Sequence, residues 1–213
     1  MADSQREICK SLKCARISFN KIIFKFGVDF CDCLYLINDK GMEKVTMFTF
    51  KTLSEEYFQI LFKWLHLLHV QQWWGEPESW EAFCVRHQNM ISDPLVFPHI
   101  VFLDEKPIGY INYWWVAEDE DFKPLYPAST VGTDQFIGVP ELIGKGLGSE
   151  FVRIFTDQLL NHPDIKLVIT DPDEKNMAAI RCYEKAGFRK SRRFVTSEGD
   201  VQLLEKKRNQ NAI

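Results

Sequence analysis

Apolar and polar positions recur with two periods along most of the chain, and those periods divide it into elements. Residues 45–50 alternate enough for a strand, and Thr52 or Ser54 followed by Glu55 and Glu56 marks a helix start. Residues 55–69 carry Phe58, Leu61, Phe62, Leu65 and Leu68, apolar on most faces, which predicts a largely buried helix ending in the loop Gln71-Gln72-Trp73-Trp74-Gly75. A second helix is expected over 78–90, with Trp80, Phe83 and His87 on compatible faces. Strands over 97–103 and 108–116 flank Asp104-Glu105-Lys106-Pro107, a hairpin turn. After an acidic, proline-bearing loop the pattern predicts a strand over 131–137. Leu147, Phe151, Ile154, Phe155 and Leu159 then recur at helical spacing and predict a helix over 149–160. Residues 167–171 are a short, continuous apolar run suited to a sheet interior. A helix over 176–186 is closed by Gly187, and strands over 188–194 and 201–205 meet across Ser197-Glu198-Gly199-Asp200.

Strands and helices mixed in this order imply an α/β fold with a mixed central sheet flanked by helices, and not a doubly wound parallel sheet. The pattern makes 45–206 one domain. Residues 1–44 follow neither period, hold four of the six cysteines, and read as an extension of unknown structure or as sequence upstream of a start at Met42 or Met47. The basic tail 207–213 is expected to fray.

Composition narrows the function. At 213 residues and 46% hydrophobic content the chain can bury one full core, and a net charge of −4 gives no basic footprint for nucleic acid. No apolar run is long enough to span a bilayer. The cysteines are irregularly spaced with no secretory signal before them, so a reduced, cytoplasmic protein is expected, a monomer or homodimer. Cys31 and Cys33 lack a second Cys/His pair at fitting spacing, so no metal site is expected.

Two stretches carry chemistry. Ile143-Gly144-Lys145-Gly146-Leu147-Gly148-Ser149 joins a strand to a helix through glycines at every second position. Such a loop leaves the amides of a helix N-terminus uncovered, a natural anion site. The second is Asn176-x-x-Ala179-x-x-x-Tyr183-x-x-x-Gly187-Phe188. With the element order, these two motifs resemble the GNAT superfamily of acyl-CoA N-acyltransferases over residues 45–206. Gly146 and Gly148 occupy the small positions of the coenzyme A signature, whereas Ile143 stands where that signature has a basic residue or glutamine. Thr170-Asp171-Pro172, Arg181-Cys182-Tyr183-Glu184-Lys185, Gln72-Trp73-Trp74-Gly75, Pro107-Ile108-Gly109-Tyr110 and Gly132-Thr133-Asp134-Gln135 are similar to the aminoglycoside 6'-N-acetyltransferase branch. A branch that acylates hydroxylamine or lysine groups in siderophore synthesis carries a histidine where this chain has Asp134.

The resemblance implies acetyl-CoA as co-substrate and a small-molecule amine as acceptor, most simply the 6'-amine of an aminoglycoside, with direct transfer in a ternary complex and no acyl-enzyme. Asp134 would take the amine's proton and Tyr183 would protonate the departing thiolate. Ile137, Val139, Gly144, Lys145, Gly146, Leu147, Gly148, Ser149, Asn176 and Ala179 would hold the cofactor. A backbone N–H around 136–139 would polarise the thioester, and Trp73, Trp74, Asp134 and Asp171 would meet the acceptor. Each has a structural alternative. Asp134 and Asp171 suit strand-end turns, Asn176 suits a helix cap and Tyr183 suits the core. The acidic run Glu118-Asp119-Glu120-Asp121 suits either a polycation or a solvated loop. Two other readings are a siderophore-precursor or protein N-terminal acyltransferase and a non-catalytic acyl-CoA-binding module.

Overall fold

The computed structural model describes residues 47–76, 78–197 and 199–208, so the 1–44 extension lies outside the described residues. The strands are β1 (Phe48–Thr52), β2 (Val96–Leu103), β3 (Lys106–Trp115), β4 (Thr130–Gly132), β5 (Gln135–Ile137), β6 (Leu167–Thr170), β7 (Arg189–Thr196) and β8 (Gly199–Lys207). The helices are α1 (Phe58–Leu65), α2 (Leu68–Trp74), α3 (Trp80–Ser92), α4 (Leu147–Asn161) and α5 (Met177–Lys185). One mixed sheet runs β1-β2-β3-β4-β6-β8-β7, with β5 also paired to β3. Only β4 and β6 are parallel, and all other pairs are antiparallel.

Both faces of the sheet are covered, which is why β2 reads as an apolar run interrupted at His99 and not as an alternating strand. Val101 packs with Phe151, Phe155 and Leu159 of α4 on one face. Ile100 and Phe102 pack with Phe58, Leu61 and Phe83 of α1 and α3 on the other. Ser79 starts α3 by accepting a hydrogen bond from the Ala82 N–H at 3.2 Å. The hairpin between β2 and β3 is tighter than the four residues expected. Asp104 and Glu105 both have positive φ (47° and 68°), the signature of a two-residue turn, and Lys106 is already in β3.

Three other expectations are corrected. The helix over 55–69 is broken at His66 and Leu67, where Leu67 is extended, so the chain restarts as α2 and remains helical through Trp74. The break rotates α2, burying Val70 and leaving Leu68 83% exposed. The strand over 131–137 is two strands. Pairing with β3 keeps one register across the gap, Trp114↔Gly132 and Ile111↔Gln135, so no residue is inserted. What interrupts the ladder is side-chain chemistry at Asn112, described below. Finally, the tail is not frayed through Arg208. Lys206 is buried against Asp157 (2.7 Å) and the Thr156 hydroxyl (2.8 Å), and Arg208 donates to the carbonyls of Leu160 and His162. These contacts fasten β8 to the back of α4, a helix whose front end belongs to the site.

His99 in β2 is 2% exposed among Phe155 and Tyr113, and burial pushes its imidazole down from 6.5 to about 4. The depressed value favours the neutral ring, so the stability it contributes is present above pH 6.5 and is lost as pH falls towards 4. The pH slope of unfolding free energy should therefore be steeper for the wild type than for His99→Gln, by about 3 kcal/mol between pH 7 and pH 4. Parallel curves from denaturant titrations at the two pH values would contradict the assignment.

Candidate active site

The site is built on the edge of β5. The Gly138 N–H donates to the Ile108 carbonyl at 2.8 Å, and the Asn112 N–H donates to the Asp134 carbonyl at 3.0 Å. In an antiparallel ladder these alternate, so residues 134, 136 and 138 turn their backbone to β3 while 135, 137 and 139 turn theirs away. On that other side pairing with β6 stops at the Thr133 N–H, which donates to the Ile169 carbonyl at 3.0 Å. Beyond it the N–H groups of Gln135, Ile137 and Val139 point into the space left between β5 and β6. This excludes Phe136 and Gly138 as donors to a ligand there.

At the head of that space Asn112 rewires the ladder. Its side-chain oxygen accepts from the Asp134 N–H at 2.9 Å, and its own carbonyl takes the Thr133 hydroxyl at 2.7 Å. Asp134 is thereby held half-buried at the point where the sheet opens. Its charge reaches tyrosines on both faces. Tyr183 of α5, 3% exposed, is pushed well above its ordinary value of 10, first by burial and next by Asp134, with the Thr170 hydroxyl opposing in part. Tyr110 of β3 is raised by the same two causes. Asp171, at the end of β6, adds a weaker contribution at Tyr183. The structure thus brings Asp134, Tyr183 and Asp171 into one electrostatic neighbourhood, although the Tyr183 ring itself packs in the main core against Phe188.

The glycine stretch forms the second wall. Gly144 and Gly146 have φ of 76° and 83°, and Gly146 is the left-handed N-cap of α4. The first helical bond runs from the Glu150 N–H to the Gly146 carbonyl, so the amides of Leu147, Gly148 and Ser149 precede the ladder. The Ser149 hydroxyl donates back to the Gly146 carbonyl at 2.8 Å. Gly148 is where three elements meet: a Cβ there would lie 3.3 Å from Cys182 Sγ of α5 and 3.6 Å from Ile137 of β5. Ile143 and Lys145 are exposed. One turn before Cys182 on α5 stands Ala179, whose N–H is capped by the Asn176 side-chain oxygen at 3.0 Å. The cap is real, and it leaves the Asn176 amide nitrogen unspent as a donor.

The tryptophans divide. Trp74 sets its ring edge-on to Phe136 of β5 (4.9 Å) and Tyr110 (5.7 Å), and lines a small cleft with Phe62, His66, Glu76, Glu78 and Arg86. Trp73 and Trp74 are almost equally exposed, at 39% and 37%, so what separates them is the ring contacts of Trp74 and not burial. The acidic run serves local structure: Asp119 accepts from the N–H groups of Asp121 and Phe122, and Asp121 binds Ser197. Sequence reasoning missed Asn112, Tyr110 and His69. The signal for Asn112 was present, as the lone amide side chain within the run Ile108-Gly109-Tyr110-Ile111-Asn112-Tyr113-Trp114-Trp115.

Residues 54–196 match a family model described as an acetyltransferase (GNAT) domain. The aminoglycoside N(6')-acetyltransferase type 1 of Klebsiella pneumoniae is 31% identical over 169 residues, which cover 73% of this chain and 81% of that protein. A kanamycin resistance protein of Rhizobium radiobacter is 36% identical over 91 residues, 43% of this chain and 78% of that one. The crystal structure of aminoglycoside acetyltransferase AAC(6')-Ib in complex with coenzyme A and kanamycin superposes with a TM-score of 0.71 at 29% identity, over 76% of this chain and 95% of that one.

Cys182 is the residue before Tyr183 on α5. It lies roughly 100° around the helix, faces β5 with its sulfur 3.8 Å from the Gln135 amide nitrogen, and is pushed up to about 11 by burial. A rise of two units from 9.0 lowers the thiolate fraction at neutral pH about a hundredfold, so iodoacetamide at pH 7 should label Cys182 that much more slowly than an unperturbed thiol. Peptide mapping by mass spectrometry reads the rate, and labelling as fast as a free thiol would contradict its placement.

Proposed function

Because the chain belongs to the acetyltransferase (GNAT) family, we propose that it transfers an acetyl group from acetyl-CoA to the 6'-amino group of an aminoglycoside, as a resistance enzyme. The observation that carries this reading is the convergence at one opening of a strand edge rich in N–H donors, an uncovered helix N-terminus and the Asp134–Tyr183 neighbourhood. The residues present suit the cofactor. The amides of Leu147, Gly148 and Ser149 would hold its pyrophosphate with Lys145 and Gly144 at the rim, and those of Ile137 and Val139 would hold its arm, beside Asn176 and Ala179. Ile143, exposed, forgoes one side-chain contact to the phosphates but leaves the backbone donors intact.

Acetyl-CoA supplies the acetyl group activated as a thioester. Asp134 would take the proton that the acceptor's ammonium must lose before its neutral amine can attack, and an edge N–H of Gln135 or Ile137 would be placed to polarise the thioester carbonyl. Buried and beside the Asp134 charge, Tyr183 is too weak an acid to transfer its proton outright to a departing thiolate, whose conjugate thiol has a pKa near 8.5. Protonation of Asp134 removes one of the charges holding Tyr183 up, so taking the amine's proton at one residue eases hydrogen donation to the leaving sulfur at the other. Burial holds the Cys182 thiol neutral against the opposing Lys185 charge, so it is a poor nucleophile, in keeping with direct transfer. Asp134 and Asp171 suit a cationic acceptor, and Trp74 offers a flat aromatic surface to its sugar rings.

Thiol release from acetyl-CoA should depend on aminoglycosides bearing a 6'-amine, such as kanamycin or tobramycin, and should vanish with 6'-hydroxyl analogues. A panel without turnover would withdraw the acceptor. Asp134→Asn should lower kcat by about two to four orders of magnitude while CoA affinity, by calorimetry, stays put. An unchanged rate would remove the base role.

A further inference from the structure

Three consecutive residues of one strand line are each gripped by a different side chain of α1 or α2. Trp64 covers Gly138, where a Cβ would fall 2.1 Å from its ring. Trp74 meets Phe136 edge-on at 4.9 Å. Between them the His69 Nε2 lies 2.9 Å from the Ile137 carbonyl oxygen. The first two contacts are apolar packing. The third is of another kind, because residue 137 turns its backbone to the open edge and its carbonyl has no strand to pair with. A carbonyl only accepts, so His69 Nε2 carries the hydrogen.

That hydrogen bond has two physical effects. It fixes the orientation of the peptide following Ile137, whose other end, the Gly138 N–H, is already tied to the Ile108 carbonyl. It also satisfies the one acceptor lying between the edge N–H groups of Ile137 and Val139, so that stretch of edge presents donors. His69 stands one helical turn before Trp73 on α2, so the same helix carries both the clamp and the tryptophans.

We propose that His69 is a positioning residue that locks α2 to the open edge of β5 and holds the Ile137 and Val139 amides in line for an acyl-pantetheine arm. The proposal rests on the acyl-CoA reading of that edge given above. It distinguishes two parts of one ligand: the nucleotide end reaches the glycine stretch, whereas only the acylated arm reaches β5.

Calorimetric titration with acetyl-CoA and with 3'-phospho-ADP, its nucleotide end, tests this. His69→Leu should bind acetyl-CoA about tenfold more weakly, the worth of about one hydrogen bond, and 3'-phospho-ADP within about twofold of the wild type. His69→Gln, whose amide N–H can reach the same carbonyl, should recover acetyl-CoA binding to within about threefold. Equal losses for both ligands, no loss for acetyl-CoA, or a Gln variant no better than Leu would overturn the role. Wild-type protein that binds neither ligand would instead overturn the reading of the site, a distinct result.

Discussion

The side chain of Asn112 is the constraint on which the site depends. Placed on a strand buried among apolar neighbours, it captures the Asp134 N–H with its own oxygen while its backbone carbonyl is taken by Thr133. Both exchanges happen without a change of register, so the strand line continues along β3, and at the same point its pairing with β6 ends. A buried amide that replaces ladder bonds with side-chain bonds leaves no backbone group unsatisfied on the β3 side, and the opening is therefore stable. Everything chemical follows from its position: the row of edge amides, the half-buried carboxylate at its head and the gap over which two helices lean.

The same opening organises the electrostatics. Asp134 sits where its field crosses the sheet, and the two tyrosines it raises lie on opposite faces. Burial raises both first and the Asp134 charge second, so each is neutral throughout the working range. On the proposed mechanism, a proton taken up by Asp134 would ease donation from Tyr183 with no movement of the chain. Cys182 shows the opposite use of burial, a thiol made inert in the middle of a reactive neighbourhood.

Much of the fold was legible because it rests on periodicity. The sheet-on-helix pattern of 97–116, the helix on Phe151 and Phe155, and the glycine-closed helix before Phe188 were all readable, since each buries one face against a partner that needs no specific geometry. The errors fell where a local exchange overrode the period. Residues 131–137 look like one strand because the interruption at Thr133 and Asp134 comes from a side chain on another strand. Residues 55–69 look like one helix because His66 and Leu67 have no breaker signature, and Leu68 is apolar yet exposed. The tail looked free because the partners of Lys206 and Arg208 are on α4, some 50 residues away in the chain.

The sequence by itself determined which chemistry was on offer: glycines that free the amides of a helix N-terminus, a carboxylate in the strand leading to them, a tyrosine seven residues after a capping asparagine. Those are properties of single residues and short spacings, and they survive without a fold. Which amides lie on the unpaired edge, that Trp74 meets Phe136 and Tyr110, that Tyr183 answers to Asp134, and that His69 reaches the Ile137 carbonyl were decided only by tertiary structure. Strand pairing chooses which half of the backbone is consumed, and helix docking chooses which side chain meets what remains. Both depend on contacts between residues far apart in the chain, which no local pattern encodes.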